Sequence, residues 1–196
     1  MTSNGKSDKF YGVYYYSDNI TLINSKKITV PKKIEEIKAY LIKNPEDISA
    51  IILLGDLYYD LGDFNNAKDN YIKAIEITPS NIVLRLSIAA TYRELGEFDE
   101  AIKECNKALT QNIEASSTYA SLSKTYIYMN NKSLALETAR KAYSLDKNDM
   151  FSINCLLIAD HYNGLFDERD KLFKVLEENK YYDLERTKYI ISSKSE

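Results

Sequence analysis

An all-α chain of stacked helical hairpins, coiled as a right-handed α-solenoid, is predicted by three observations. Small residues recur at one step: Ala67, Ala101 and Ala135 stand 34 positions apart, and so do Ala74, Ala108 and Ala142. Larger residues hold the same register, as Leu54, Ile88, Leu122 and Leu156, and as Tyr58, Tyr92 and Tyr126. Turn formers punctuate it at Gly62, Gly96, Asn130 and Gly164. A fixed period of this size is one helix–turn–helix unit, which buries its apolar face only by stacking on a neighbour.

Residues 1–30 form a Tyr-rich extension. Met1–Lys9 is polar and expected to be disordered. Val13–Tyr16 and Ile20–Ile23 read as a small hairpin about a Ser17-Asp18-Asn19 turn, with an irregular extension or a degenerate first helix as the alternatives. Tyr11 and Tyr14–Tyr16 fit no column of the repeat; they read equally as contacts or as filling for its open end. The repeat domain is expected over 31–192. It opens with a capping helix over 32–43, where Val30-Pro31 precedes an apolar stripe of Ile34, Ile37, Tyr40 and Leu41.

The first repeat spans 48–81. Ile51, Leu54, Gly55 and Tyr58 have helical spacing, Gly62 ends that helix in the left-handed conformation, and Ala67, Tyr71, Ala74 and Ile75 line a second helix. Gly55 and Ala67 allow the two helices a close approach. Pro79 stops the unit and Asn81 caps the next, as Asp47 and Asp149 do at equivalent places. The repeats at 82–115 and 116–149 keep this pattern, with Asn130 replacing glycine at the turn. A degenerate repeat at 150–183 keeps Leu156, Gly164, Phe166 and Phe173 but puts Arg169 in the alanine column. A closing helix is expected over 182–192, carrying Leu184, Ile190 and Ile191, before a disordered tail at 193–196.

Ile51, Leu54-Gly55, Tyr58, Ala67, Tyr71, Ala74 and Pro79 resemble the signature of the tetratricopeptide repeat family, and the next two units repeat it without gaps. The pentatricopeptide family is the nearest confusion. Its period is normally one residue longer, and an acidic chain suits RNA poorly. The resemblance implies a scaffold or adaptor that binds proteins or peptides on a concave surface.

Composition points the same way. A net charge of −3, with Lys and Glu spread along the chain, offers no field for phosphate backbones, so nucleic acid is not an expected partner. No run of about 18 apolar residues predicts a membrane span. Cys105 and Cys155 lie fifty positions apart, without disulfide or zinc spacing, and read as buried thiols of a cytoplasmic protein. No phosphate loop, metal cluster or nucleophile elbow appears, so no enzyme activity, cofactor or metal is expected. His161, the single histidine, and Cys155 point apart, about 240° round one helix.

In each repeat's first helix, positions 4, 7, 8 and 11 face the core. Positions 2, 5, 9 and 12 lie about 120° away, with position 13 beside them. The resemblance makes this second stripe the concave surface. The candidate partner-binding residues are Ile52, Asp56, Tyr59 and Asp60; Leu86, Ala90, Arg93 and Glu94; Ala120, Lys124, Ile127 and Tyr128; and Asn154 and His161. Position 5 runs Ile52, Leu86, Ala120, Asn154, an apolar track open to a peptide or helix, or packed beneath an adjoining segment. One subclass of the family clamps chaperone C-terminal carboxylates with Lys, Asn and Arg at set places. Those places hold Ile52, Asp56, Ser87, Ser117 and Ser121 here, or Leu86, Ala90, Ser121, Phe151 and Cys155, with no cation in either frame, so a chaperone C-terminal tail is not expected. Two alternatives stand beside the scaffold reading. One is a self-assembling homo-oligomer whose N-terminal segment docks in a neighbour's groove; the other is a subunit of an envelope secretion or pilus apparatus.

Overall fold

The computed structural model describes residues 9–10, 13–14, 20–23, 26–112 and 115–193. The expectations for Tyr11, Tyr15, Tyr16, the Ser17-Asp18-Asn19 turn and the two ends, 1–8 and 194–196, lie outside those residues. The chain divides into two compact units, Met1–Leu95 and Gly96–Glu196.

In the first unit β1 (Lys9–Phe10) pairs antiparallel with β2 (Val13–Tyr14), and β3 (Ile20–Ile23) with β4 (Lys26–Thr29). The expected strand at Ile20–Ile23 is present, but its partner is Lys26–Thr29 rather than Val13–Tyr16. The β3 and β4 segments are two positions apart, the separation that favours the tightest hairpins. The β4 strand leads directly into α1 (Val30–Lys43), with Pro31 in its first turn, where a missing N–H costs nothing. Val30, Ile34 and Ile37 of α1 bury against Leu54 and Leu57 of α2 (Ile48–Asp60).

Helices α2 and α3 (Phe64–Ile77) form the first hairpin, and α4 (Ile82–Glu94) packs on α3. Their shared core is Ile51, Ala67, Tyr71, Ala74, Leu84 and Ile88. Asp47 and Asn81 cap α2 and α4 by accepting from the N–H groups of Ala50 and Leu84, and Asp63 caps α3 through Asn66. Gly62 has φ 74°, and the following Asp63 N–H reaches back to the Tyr58 carbonyl at 2.9 Å, satisfying an end-of-helix acceptor.

The second unit contains α5 (Phe98–Gln111), α6 (Ser116–Tyr128), α7 (Lys132–Leu145), α8 (Met150–Tyr162), α9 (Phe166–Glu178) and α10 (Leu184–Ser193). Asn130 adopts φ 57°, in the place the glycines hold elsewhere, and Asn131 N–H bonds the Tyr126 carbonyl at 2.8 Å. Ala135, Ala139, Ile153, Leu156, Leu157, Leu172 and Leu176 form the main core. A smaller cluster joins Ala120, Ala142 and Cys155. After α9, Lys180 also takes a left-handed φ of 51°, without glycine's freedom to do so. The architecture is the all-α helical-hairpin repeat that the periodicity predicts.

Candidate partner-binding groove

On α2 of the first unit, Ile52, Asp56 and Tyr59 are half-buried and Asp60 is exposed, all along one side of the helix. The Tyr71 hydroxyl donates to Asp56 Oδ1 at 2.7 Å. Burial pushes the Asp56 carboxyl up to about 6 against the lowering effect of that bond. Asp60, one turn on, is pushed up to about 7, first by loss of water around its carboxyl and then by the charge of Asp56. On α4, Leu86, Ala90 and Arg93 are 3%, 2% and 1% exposed, and Glu94 is half-buried.

In the second unit the position-5 residues also turn inward: Ala120 is buried outright and Asn154 is 3% exposed. Ala120 is thus withdrawn from the surface, while Asn154 keeps an edge on the cavity described below. Thr187 of α10 donates to Asn154 Oδ1 at 2.7 Å, with the Asp183 carbonyl 3.1 Å away as a second acceptor. The Cys155 thiol is directed at the Ala120 carbonyl, 3.4 Å away. His161, at position 12, is taken up elsewhere. Its Nδ1 lies 3.1 Å from the Arg169 guanidinium and its ring packs near Phe166, which ties it to the α8–α9 turn. Burial, and after it the charges of Arg169 and Lys132, depress its basicity. Cys155 and His161 therefore serve different neighbourhoods, as their spacing predicts.

A cavity of about 380 Å³ opens between α6, α8 and α10. Helix α6 contributes Lys124, Ile127 and Tyr128, and α8 contributes Asn154, Cys155, Ile158 and Tyr162. The third wall is α10, through Arg186, Tyr189 and Ile190. Lys124 is mostly buried, its ammonium 5.7 Å from the centre of the Phe151 ring; Tyr128 is 38% and Tyr189 71% exposed. Arg186 reaches the Tyr128 hydroxyl at 3.3 Å. Lys124, Ile127, Tyr128 and Asn154 of the predicted set thus share one cavity, whereas Ala120 lies under it and His161 beside it.

The α10 wall is the part the sequence reading missed, although a signal for it exists. Leu184 lies 34 residues after Met150, and Asp183 lies 34 after the α8 cap Asp149. Helix α10 is therefore a fifth first helix in strict register, with Thr187, Ile190 and Ile191 at core positions 4, 7 and 8. Its threonine and isoleucines hide the signature because they replace Leu and Gly. Among the described residues no group of three His, Cys, Asp or Glu is placed to hold a metal, and no helix is long and apolar enough to cross a membrane.

Comparison with known proteins agrees with this geometry. The family model for the tetratricopeptide repeat matches residues 48–81, 84–112 and 116–149. The chain belongs to the tetratricopeptide repeat family. Hsp70-Hsp90 organizing protein 2 of Arabidopsis thaliana is 31% identical over 134 residues, covering 66% of this chain and 23% of that protein. The STIP1 homolog of Dictyostelium discoideum is 37% identical over 94 residues, 46% of this chain and 17% of that protein. The chain thus spans about a quarter or less of the length of these relatives. Among solved structures, the thermophilic protein TTC0263 of Thermus thermophilus superposes with a TM-score of 0.69 at 19% identity, over 83% of this chain and 90% of that one. YrrB, described as having an unusual peptide-binding site, gives 0.54 at 20% identity, over 83% and 87%. These two likenesses bear on the fold alone.

Proposed function

We propose that this protein is a non-enzymatic, cytoplasmic interaction scaffold that holds a peptide or helical segment of a partner against the first-helix faces of its repeats. The observation behind the reading is the cavity between α6, α8 and α10: apolar within, rimmed by exposed tyrosines, and built on the helices that carry the predicted stripe. Large aromatic residues at the edge of an apolar recess are a common anchor for a partner. The organizing proteins to which the chain is similar support a protein-holding role by resemblance. The partner is not a chaperone carboxylate tail, because Ile52, Asp56, Ser87, Ser117 and Ser121 stand where such a clamp needs cations and amides.

A photoreactive phenylalanine analogue placed at Tyr59 or Tyr128, and separately at the exposed residues Lys103 and Glu137 of second helices, tests this in native extract. Crosslinks confined to Tyr59 and Tyr128 are expected. Equal crosslinking of one partner from Lys103 and Glu137 would refute a first-helix site.

A further inference from the structure

The chain carries two complementary half-repeats. Helices α1, α3, α5, α7 and α9 open at Val30, Phe64, Phe98, Lys132 and Phe166, each 34 residues after the last, so α1 is a second helix in strict register. The first-helix place before it, residues 14–26, contains the strand β3 instead. Helix α10 is the opposite half, a first helix with no second helix after it among the described residues. A complete repeat shows what a vacant first-helix place leaves uncovered. Ala120 of one first helix, Ala142 of its second helix and Cys155 of the next first helix form a single cluster, each at most 1% exposed. Around α1 the residues matching Ala142 and Cys155 are Tyr40 and Leu53, and these are 48% and 40% exposed. The contrast holds along the chain: Ala74, Ala108, Ala142 and Leu176, at the position of Tyr40, are all fully buried. Ala50 of α2 is likewise only half-buried where Ser152 of α8 is covered outright. Two large apolar side chains are thus left to water at the positions that a preceding first helix covers elsewhere.

We infer that a second copy of this chain fills the vacant place beside α1 and α2 with its own α10, so that the repeat register runs on from one molecule into the next. The occupant is a copy because α10 is already a first helix on the 34-residue beat, and the place beside α1 calls for one. Lys188 stands at position 5 of α10, where Ala120 stands in α6. Its aliphatic stem covers Tyr40 and Leu53 of the neighbour, while its ammonium keeps its 3.0 Å pair with Glu185. Burial of the two apolar side chains drives the contact. The seam joins different surfaces, α10 on one copy and the α1–α2 hairpin on the other, so each pairing leaves one surface of each kind free. It is independent of the peptide-binding reading.

Sedimentation of the full chain up to about 1 mM tests this, since a single helix docking on a hairpin lies at the weak end of specific association. Concentration-dependent self-association is expected. Leu53→Glu and Lys188→Asp, with melting curves as folding controls, should each weaken it about tenfold or more. Mixed together, the two variants should pair one to one and stop there, because each keeps the surface the other has lost. Leu53→Cys mixed with Lys188→Cys should form an intermolecular disulfide under oxidised glutathione, whereas Leu53→Cys mixed with Lys103→Cys, on α5, should not. A monomer at every concentration overturns the inference, as does association that survives both charge variants. A cysteine at position 53 that resists alkylation in the dilute monomer also overturns it, because the chain's own N-terminal residues would then fill the place. So does a photocrosslinker at Tyr40 that captures another protein in native extract and never a second copy, which would assign the place to a foreign segment.

Discussion

Gly55 marks a close approach in the first hairpin, and Gly55→Ala probes it directly. A Cβ at this position would stand 2.7 Å from Tyr71 Cε1 and 2.8 Å from Cδ1. Optimal carbon contacts lie at about 3.5–4.0 Å, so the overlap approaches 1 Å. The ring cannot easily swing aside. Tyr71 is 2% exposed, and its hydroxyl is held by Asp56, the residue next to Gly55. Forcing a methyl into such a contact costs about 1–3 kcal/mol, while alanine's better helix propensity returns about 0.5–1 kcal/mol. The expected net loss is about 1–2 kcal/mol, equivalent to roughly 2–8 °C in a chain of this size. The chain has no tryptophan, so urea unfolding followed by circular dichroism at pH 7 is the suitable assay. Combining Gly55→Ala with Tyr71→Leu should show a coupling of about 1 kcal/mol or more, because the smaller side chain leaves room for the methyl. If Gly55→Ala alone stabilises the protein by its propensity gain, the close approach is wrong.

Other perturbations follow from the same geometry. Asp56 has a folded-state pKa of about 6, above its value in the unfolded chain, so its carboxyl favours folding at low pH and this contribution is lost as pH rises from about 4 to 6. Asp56→Asn should therefore gain about 1–2 kcal/mol at pH 8, with little change at pH 4, in urea titrations at both; a gain equal at both pH values would contradict the assignment. Thr187→Val removes the donor to buried Asn154, and should cost about 1–3 kcal/mol and accelerate amide exchange selectively in α10. Lys180→Gly relieves a left-handed non-glycine residue and should raise stability by about 0.5–1 kcal/mol in thermal melts. Ala101→Leu, at a fully buried small-residue column, should cost about 1–3 kcal/mol, and an unchanged melting temperature would count against the register.

The helical hairpins were legible because each needs the same small set of residues at the same places. Gly62 and Asn130 at turns, Asp47 and Asn81 at caps, and alanines at close contacts act locally, and local rules repeat visibly. Depth was not legible in the stripe. Rotation about one helix places Leu86, Ala120 and Asn154 on the same side as Tyr128, but only neighbouring helices decide that the first three are covered. Asn154 is buried by Thr187, 33 residues away, and that contact has no signature in the columns. The hairpin at β3 and β4 shows the converse. The strand was readable from its β-branched residues, whereas its partner depended on which neighbouring segment lay nearest along the chain.

Because Leu184 begins on the beat of the repeat, α10 follows α8 at the interval by which α8 follows α6, and its Thr187 rests on Asn154 of α8. Splicing an extra copy of residues 150–183 ahead of it would recreate its seat, with a duplicated asparagine awaiting Thr187. The molecule is thus modular at this end. It could be lengthened in whole increments, each carrying its terminal helix outward on the same seat, while the cavity wall now supplied by α6 would be rebuilt from Ile158, His161 and Tyr162.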